Sequence, residues 1–196
     1  MGTKPPQVTA TRSHGTSRVA VELDGRPWRV LPLAVCARAG LAIGATLDRE
    51  RARTLNRALR QERALGTAVR LLRFADQSEA SLERRLAQRG IAGPDREAAL
   101  AALVDRGVVD DRRFAVERAA LLARRGQSDA AIASDLAGRG LPEALVSEVL
   151  GMLPSERSRV EQVVRERGVS LRTLRLLARR GFREDALEAI VAAVGE

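Results

Sequence analysis

Residues 72–91 read LRFADQSEASLERRLAQRGI, residues 122–141 read LARRGQSDAAIASDLAGRGL, and residues 163–182 read VVRERGVSLRTLRLLARRGF. These are one pattern written three times. Fourteen residues after Leu72, Leu122 and Val163 stand Leu86, Leu136 and Leu177. Four residues further come Gly90, Gly140 and Gly181, each preceded by Arg (Arg89, Arg139, Arg180) and followed by an apolar residue (Ile91, Leu141, Phe182). Ten residues beyond each Gly stand Leu100, Leu150 and Val191, and three later Leu103, Leu153 and Val194. Agreement at so many spacings in three copies marks an internal repeat.

Each copy reads as three helices. A serine (Ser78, Ser128, Ser170) can accept from unpartnered amides and start the second helix. That helix stops at the Arg-Gly step, where glycine supplies a left-handed cap without steric cost. Pro94 and Pro142 stand near the opening of the third helix, where a missing amide proton costs nothing. The step from first to second copy is 50 residues and from second to third 41. The extra residues lie around Asp110-Asp111-Arg112-Arg113-Phe114-Ala115, with Phe114 read as a core anchor of the second copy. Adjacent Asp110 and Asp111 read as helix cap and dipole partner rather than as a catalytic pair. The third copy is the least regular, with Thr173 where the others carry Leu82 and Ile132. Short helices bury little alone, so stacked copies must lend their apolar faces to one another.

Upstream the pattern changes. Residues 1–17, polar and with Pro5-Pro6, are expected to be a disordered tail containing the only histidine, His14. Val19, Val21 and Leu23 alternate with polar or small residues, Asp24-Gly25 is a strong hairpin turn, and Trp28, Val30 and Pro32 continue the return strand. Leu33 to Ala39 is expected to be a short helix ended by Gly40. Asp48 is expected to cap a linker helix running to about Leu65, with Ala52, Leu55 and Leu59 inward and Arg49, Arg53, Arg57 and Arg60 on the opposite face. The expected organisation is a tail over 1–17, hairpin and short helix over 18–47, linker helix over 48–67, and copies over 68–108, 109–154 and 155–196. The fold class is mainly α: three tandem three-helix repeats forming a curved stack, preceded by a β-hairpin and a linker helix.

Composition narrows the function. The 196 residues are 45% hydrophobic, far above the range of disordered chains, and carry net charge +9 with one Cys and one His. Those single residues leave no room for a disulfide framework, a multi-thiolate zinc site or an ordinary Ser-His-Asp centre. No catalytic residue, cofactor site or metal site is expected. The longest apolar run, Val30 to Ala37, is too short for a bilayer span and contains Pro32. A cytoplasmic protein without membrane contact is expected, with Cys36 a small buried apolar residue. Of 34 basic residues, all but Lys4 are Arg, and they favour the two ends of the chain. Residues 1–67 are net +7, residues 109–154 net −1, and residues 155–183 hold nine Arg against three Glu. Arg49, Arg53, Arg57 and Arg60, with Arg172, Arg175, Arg179 and Arg180, are therefore the candidates for phosphate contact; a solvated surface is the other reading of the same stripes.

The helix-triplet repeats, the Asp-x-Arg-Phe-Ala string at 111–115 with Arg118 and Gly126 downstream, the Arg-Gly-apolar endings and the hairpin-plus-helix preface together resemble the RecX family of RecA regulators, over about residues 19–196. The resemblance implies a non-catalytic monomer that binds the RecA recombinase and its filament on single-stranded DNA. It implies suppression of ATP hydrolysis and strand exchange, and a place in recombination, DNA repair and the SOS response. It makes Asp111, Arg113, Arg118, Arg124 and Arg125 candidates for the RecA contact. The family's commonly Lys-rich stretches are Arg-rich here. A helical module touching DNA directly through backbone contacts is the alternative, with weak DNA binding possible beside the RecA role.

Overall fold

The computed structural model describes residues 4–182 and Leu187. The chain forms two compact units, Met1–Leu71 with Leu86–Ala102, and Leu72–Arg85 with Leu103–Glu196. The division runs through the segment expected as the first copy.

In the first unit β1 (Val8–His14), β2 (Arg18–Leu23) and β3 (Arg26–Pro32) form an antiparallel sheet in the order β1-β2-β3. Asp24 and Gly25 turn β2 into β3 with φ of 50° and 78°, the paired positive values of a tight hairpin. β1 corrects the expectation of a disordered tail. Its only large apolar residue, Val8, is buried, while Thr9 and Thr11 supply β-branched backbone preference without an apolar alternation. The strand is also held from outside the sheet: Val8 N donates to Ala45 O and Gly44 N to Val8 O, both at 2.8 Å. His14 ends β1 opposite Arg18.

Helix α1 (Leu33–Arg38) ends at Gly40, whose φ is 61°. Val8, Val21 and Leu31 of the sheet bury against Val35 and Cys36 of α1 and Leu55 and Ala58 of α2 (Arg49–Leu72). Burial pushes the Cys36 thiol pKa up, as expected for a packing residue. Asp48 Oδ1 accepts from Arg51 N at 2.8 Å, the expected start of α2. The helix runs past the expected end near Leu65, so the linker helix and the first helix of the first copy are continuous. Ala64, Thr67, Ala68 and Leu71 extend the buried stripe, which outweighs the helix cost of Gly66.

Downstream are α3 (Glu79–Gln88), α4 (Gly93–Val104), α5 (Asp111–Arg124), α6 (Asp129–Gly138), α7 (Glu143–Gly151), α8 (Glu156–Arg167) and α9 (Leu171–Arg179). The second copy is α5–α7, closed around Phe114, Ala119, Leu122, Ile132, Leu136, Leu141 and Val149. The third copy packs Val160, Val163, Leu177 and Phe182 together. Leu86, Leu136 and Leu177 are all fully buried, and the Arg-Gly steps place Gly90, Gly140 and Gly181 at φ of 72°, 82° and 83°. Leu72, the first anchor, is half-buried. Thr173, the irregular position, is buried and donates its amide to Ser170. The third helix expected in the last copy, with Val191 and Val194, lies outside the described residues.

Candidate functional site: inter-copy joints and arginine surfaces

The second helices of the copies begin at serines that accept from the amide three residues on. Ser78 accepts from Ser81 at 3.2 Å, Ser128 from Ala131 at 3.1 Å and Ser170 from Thr173 at 3.2 Å. Ser78 and Ser128 have no exposed surface, because the following copy is seated on them. Ser78 Oγ donates to Arg139 O at 2.6 Å, Arg84 donates to Gly138 O at 2.9 Å, and the Asp111 carboxylate accepts from Glu79 N at 2.7 Å. One copy later the parts recur. Ser128 N donates to Arg180 O at 3.2 Å, and the Glu156 carboxylate accepts from Asp129 N. Buried Arg159 donates to Gln127 O at 3.0 Å and pairs with Asp129. At both joints the electron-rich end of one helix, helped by a carboxylate, meets the unpartnered amides and positive dipole end of another.

The glycines make that approach possible. A methyl at Gly140 would stand 2.5 Å from Ala80 Cβ, and one at Gly181 would stand 2.7 Å from Ser128 Oγ. Gly90, equivalent in sequence, opens on empty space.

These joints give the contact candidates of the second copy unequal positions. Asp111 belongs to the joint. Its neighbour Asp110 is the helix cap, accepting from Arg113 N at 2.9 Å. Arg113 donates to Gly107 O and Val108 O, both at 3.1 Å, and so closes the turn before α5. Arg118 forms a two-pronged pair with Asp135, at 2.9 and 2.8 Å, and Arg139 reaches the same carboxylate at 2.8 Å. The Arg118 hydrogen bond, then that of Arg139, holds the Asp135 carboxyl well below the usual carboxylate range and keeps Arg118 charged. Arg139 also lies 5.7 Å over the Phe114 ring, joining the ion cluster to the core. Arg124 and Arg125 are exposed and unpaired among the described residues.

Sequence reasoning missed Asp135, Glu156 and Arg159. The spacing of Asp135 and Arg139 by four on one helix was a local signal for the first. Nothing local announces the partners of the other two.

The phosphate candidates also divide. On α2, Arg49, Arg53 and Arg57 are exposed, whereas Arg60 pairs with Asp95 at 3.1 Å. On α9, Arg172, Arg175 and Arg179 share an exposed face. Arg180 leaves that group. Its side chain turns back onto the second copy, so close that a methyl at Gly126 would stand 2.5 Å from its guanidinium, and its carbonyl accepts from Ser128 N at the joint. Among the described residues no acid, His and Cys cluster could hold a metal ion, and no helix is long and apolar enough to cross a membrane.

Fold and surfaces together define an α-helical repeat protein with self-joining copies and two solvent-facing arginine stripes. Regulatory protein RecX of Mycobacterium leprae is 34% identical over 148 residues, which cover 68% of this chain and 86% of that protein. Regulatory protein RecX of Halorhodospira halophila is 33% identical over 139 residues, 66% of this chain and 86% of that protein. A crystal structure of a regulatory protein RecX shares the fold with TM-score 0.80 at 17% identity, over 95% of this chain and 99% of that one. A crystal structure of RecX from Lactobacillus salivarius matches with TM-score 0.58 at 15% identity, over 70% and 98% of the two chains. No family model matches the chain. The chain belongs to the RecX family of regulatory proteins.

Proposed function

We propose that the protein is a non-catalytic, cytoplasmic, monomeric regulator of the RecA recombinase. It binds the RecA filament on single-stranded DNA, lowers ATP hydrolysis and strand exchange, and so restrains recombination and repair. The observation that carries this reading is the relationship to regulatory RecX proteins, at 34% identity over 86% of the length of the Mycobacterium leprae protein. Of the five contact candidates, exposed Arg124 and Arg125 are the ones offered to RecA. Asp111, Arg113 and Arg118 act through the joint, the turn and the ion cluster that hold α5 in place. The test is RecA ATP hydrolysis on single-stranded DNA, titrated with this protein. Inhibition at substoichiometric ratio is expected, since a block to filament growth silences many subunits at once. No change at any ratio overturns the reading.

A second reading has its own observation. Arg49, Arg53 and Arg57 lie exposed along one face of α2, a spacing suited to successive phosphates, which gives direct contact with the DNA backbone beside the RecA role.

A further inference from the structure

The three copies can be compared at one position, the residue that follows the capping serine. In the first copy it is Glu79, whose amide receives the Asp111 carboxylate; in the second it is Asp129, whose amide receives the Glu156 carboxylate. In the third it is Leu171, which meets no carboxylate among the described residues and is 71% exposed. The next position changes as well, from Ala80 and Ala130 to Arg172. An arginine at the position of Ala80 bars another Arg-Gly step from the close approach that Gly140 makes there.

Around this helix start lie two open grooves. One, of about 780 Å3, is lined by Leu171, Arg172, Arg175, Ala178 and Arg179. The other, of about 440 Å3, adds Arg167 and Leu176 to the same wall. Helix α9 has no acidic residue in its first turn. Arg167, Arg172 and Arg175 have no ion-pair partner among the described residues, and the guanidinium of Arg179 reaches only the Arg175 carbonyl of its own helix, at 3.3 Å.

We propose that this end of the third copy is a docking site for a segment of a partner protein in which carboxylates flank an apolar side chain. The carboxylates would meet Arg172, Arg175 and Arg179, and the apolar residue would cover Leu171. Two observations select this chemistry. The fold itself brings a carboxylate to the same position in both earlier copies, so the site is one it builds for that group. The grooves also join guanidiniums to exposed apolar surface, whereas a phosphate backbone has no complement for Leu171. The α2 stripe shows the contrast, since Arg53 and Arg57 stand beside exposed Thr54 and Asn56. The inference goes beyond the regulatory reading by naming the chemistry of a partner segment, and it is argued from this chain alone. Its failure would leave the ATPase result standing.

The experiment uses the full chain and fluorescence anisotropy with three labelled probes. These are a short Glu/Asp peptide with Leu at every fourth position, the same peptide with Ser for Leu, and a single-stranded thymidine oligonucleotide. Arg172→Gln/Arg175→Gln/Arg179→Gln should weaken the Leu-containing peptide by about tenfold or more, about 1.4 kcal/mol, and change oligonucleotide binding by less than about twofold. Leu171→Ser should weaken the Leu-containing peptide several-fold and leave the Ser peptide alone. Arg49→Gln/Arg53→Gln/Arg57→Gln should leave both peptides unchanged. All the substituted side chains are exposed, and circular dichroism checks that each variant is folded. Peptide binding indifferent to the α9 substitutions would overturn the proposal, and so would equal losses for peptide and oligonucleotide.

Discussion

Replacing Gly140 by alanine separates the joint between copies from the ordinary cost of a left-handed residue. Gly140 has φ of 82°, and its missing methyl would stand 2.5 Å from Ala80 Cβ. Ala80 is a rigid methyl on a helix, so relief requires backbone movement of one copy against the other. A residue with a side chain in the left-handed region costs about 1–2 kcal/mol, and overpacking of this kind adds about 1–3 kcal/mol. Gly140→Ala should therefore destabilise by about 2–5 kcal/mol. Gly107 belongs to the same unit, has φ of 63° and opens on empty space, so Gly107→Ala should lose only the conformational part. Urea unfolding followed by circular dichroism measures both. The decisive comparison adds Ala80→Gly, which removes the clashing methyl. In the Gly140→Ala background it should recover about 1 kcal/mol or more, the coupling expected of residues in contact. Equal losses for Gly107→Ala and Gly140→Ala, with no recovery on Ala80→Gly, would refute the joint.

Other consequences are measurable in the same way. Leu136→Ala empties a fully buried site and should cost about 2–5 kcal/mol in equilibrium unfolding; a loss of a few tenths would mean the anchors do not carry the core. The depressed Asp135 carboxyl contributes stability that is present above its unfolded pKa of about 4 and is lost as pH falls from there toward the lower folded value. Between about pH 7 and pH 3 the wild type should thus lose more unfolding free energy than Asp135→Asn does, and parallel losses would contradict the Arg118–Asp135–Arg139 cluster. If the α2 stripe meets single-stranded DNA, log affinity should fall with log salt by about 0.7 per phosphate contacted. Arg49→Gln/Arg53→Gln/Arg57→Gln should flatten that slope by about two; an unchanged slope would assign the stripe to solvent.

What the sequence made legible is what repeats or acts locally. The anchors at Leu86, Leu136 and Leu177 could be found because three registers agree, and all three proved buried. Asp24-Gly25, Asp48 and the three serines carry their meaning in adjacent residues, since a turn or cap is satisfied within a few positions. β1 was hidden because its partner supplies what its own composition lacks: backbone hydrogen bonds from β2 and a core contact for Val8 alone. The extension of α2 was hidden because Gly66 looks like a stop until the buried face beyond it is known. The roles of Asp111, Arg118 and Arg180 depended on residues far along the chain, 17 positions away for Arg118 and 32 for Asp111. Motif reading could mark them as distinctive, but only their distances to Glu79, Asp135 and Gly126 say what they do.

The joint has a consequence for how such a chain can change length. The second copy brings both halves of the connection, a helix start at Ser128 that receives Arg180 O and an Arg-Gly helix end at Arg139 that Ser78 receives. Duplicating that copy would therefore supply its own attachment at either side, and no new complementary surface would have to arise. The start of α9 lacks the receiving pattern, since Leu171 and Arg172 stand where α3 and α6 carry an acid and an alanine.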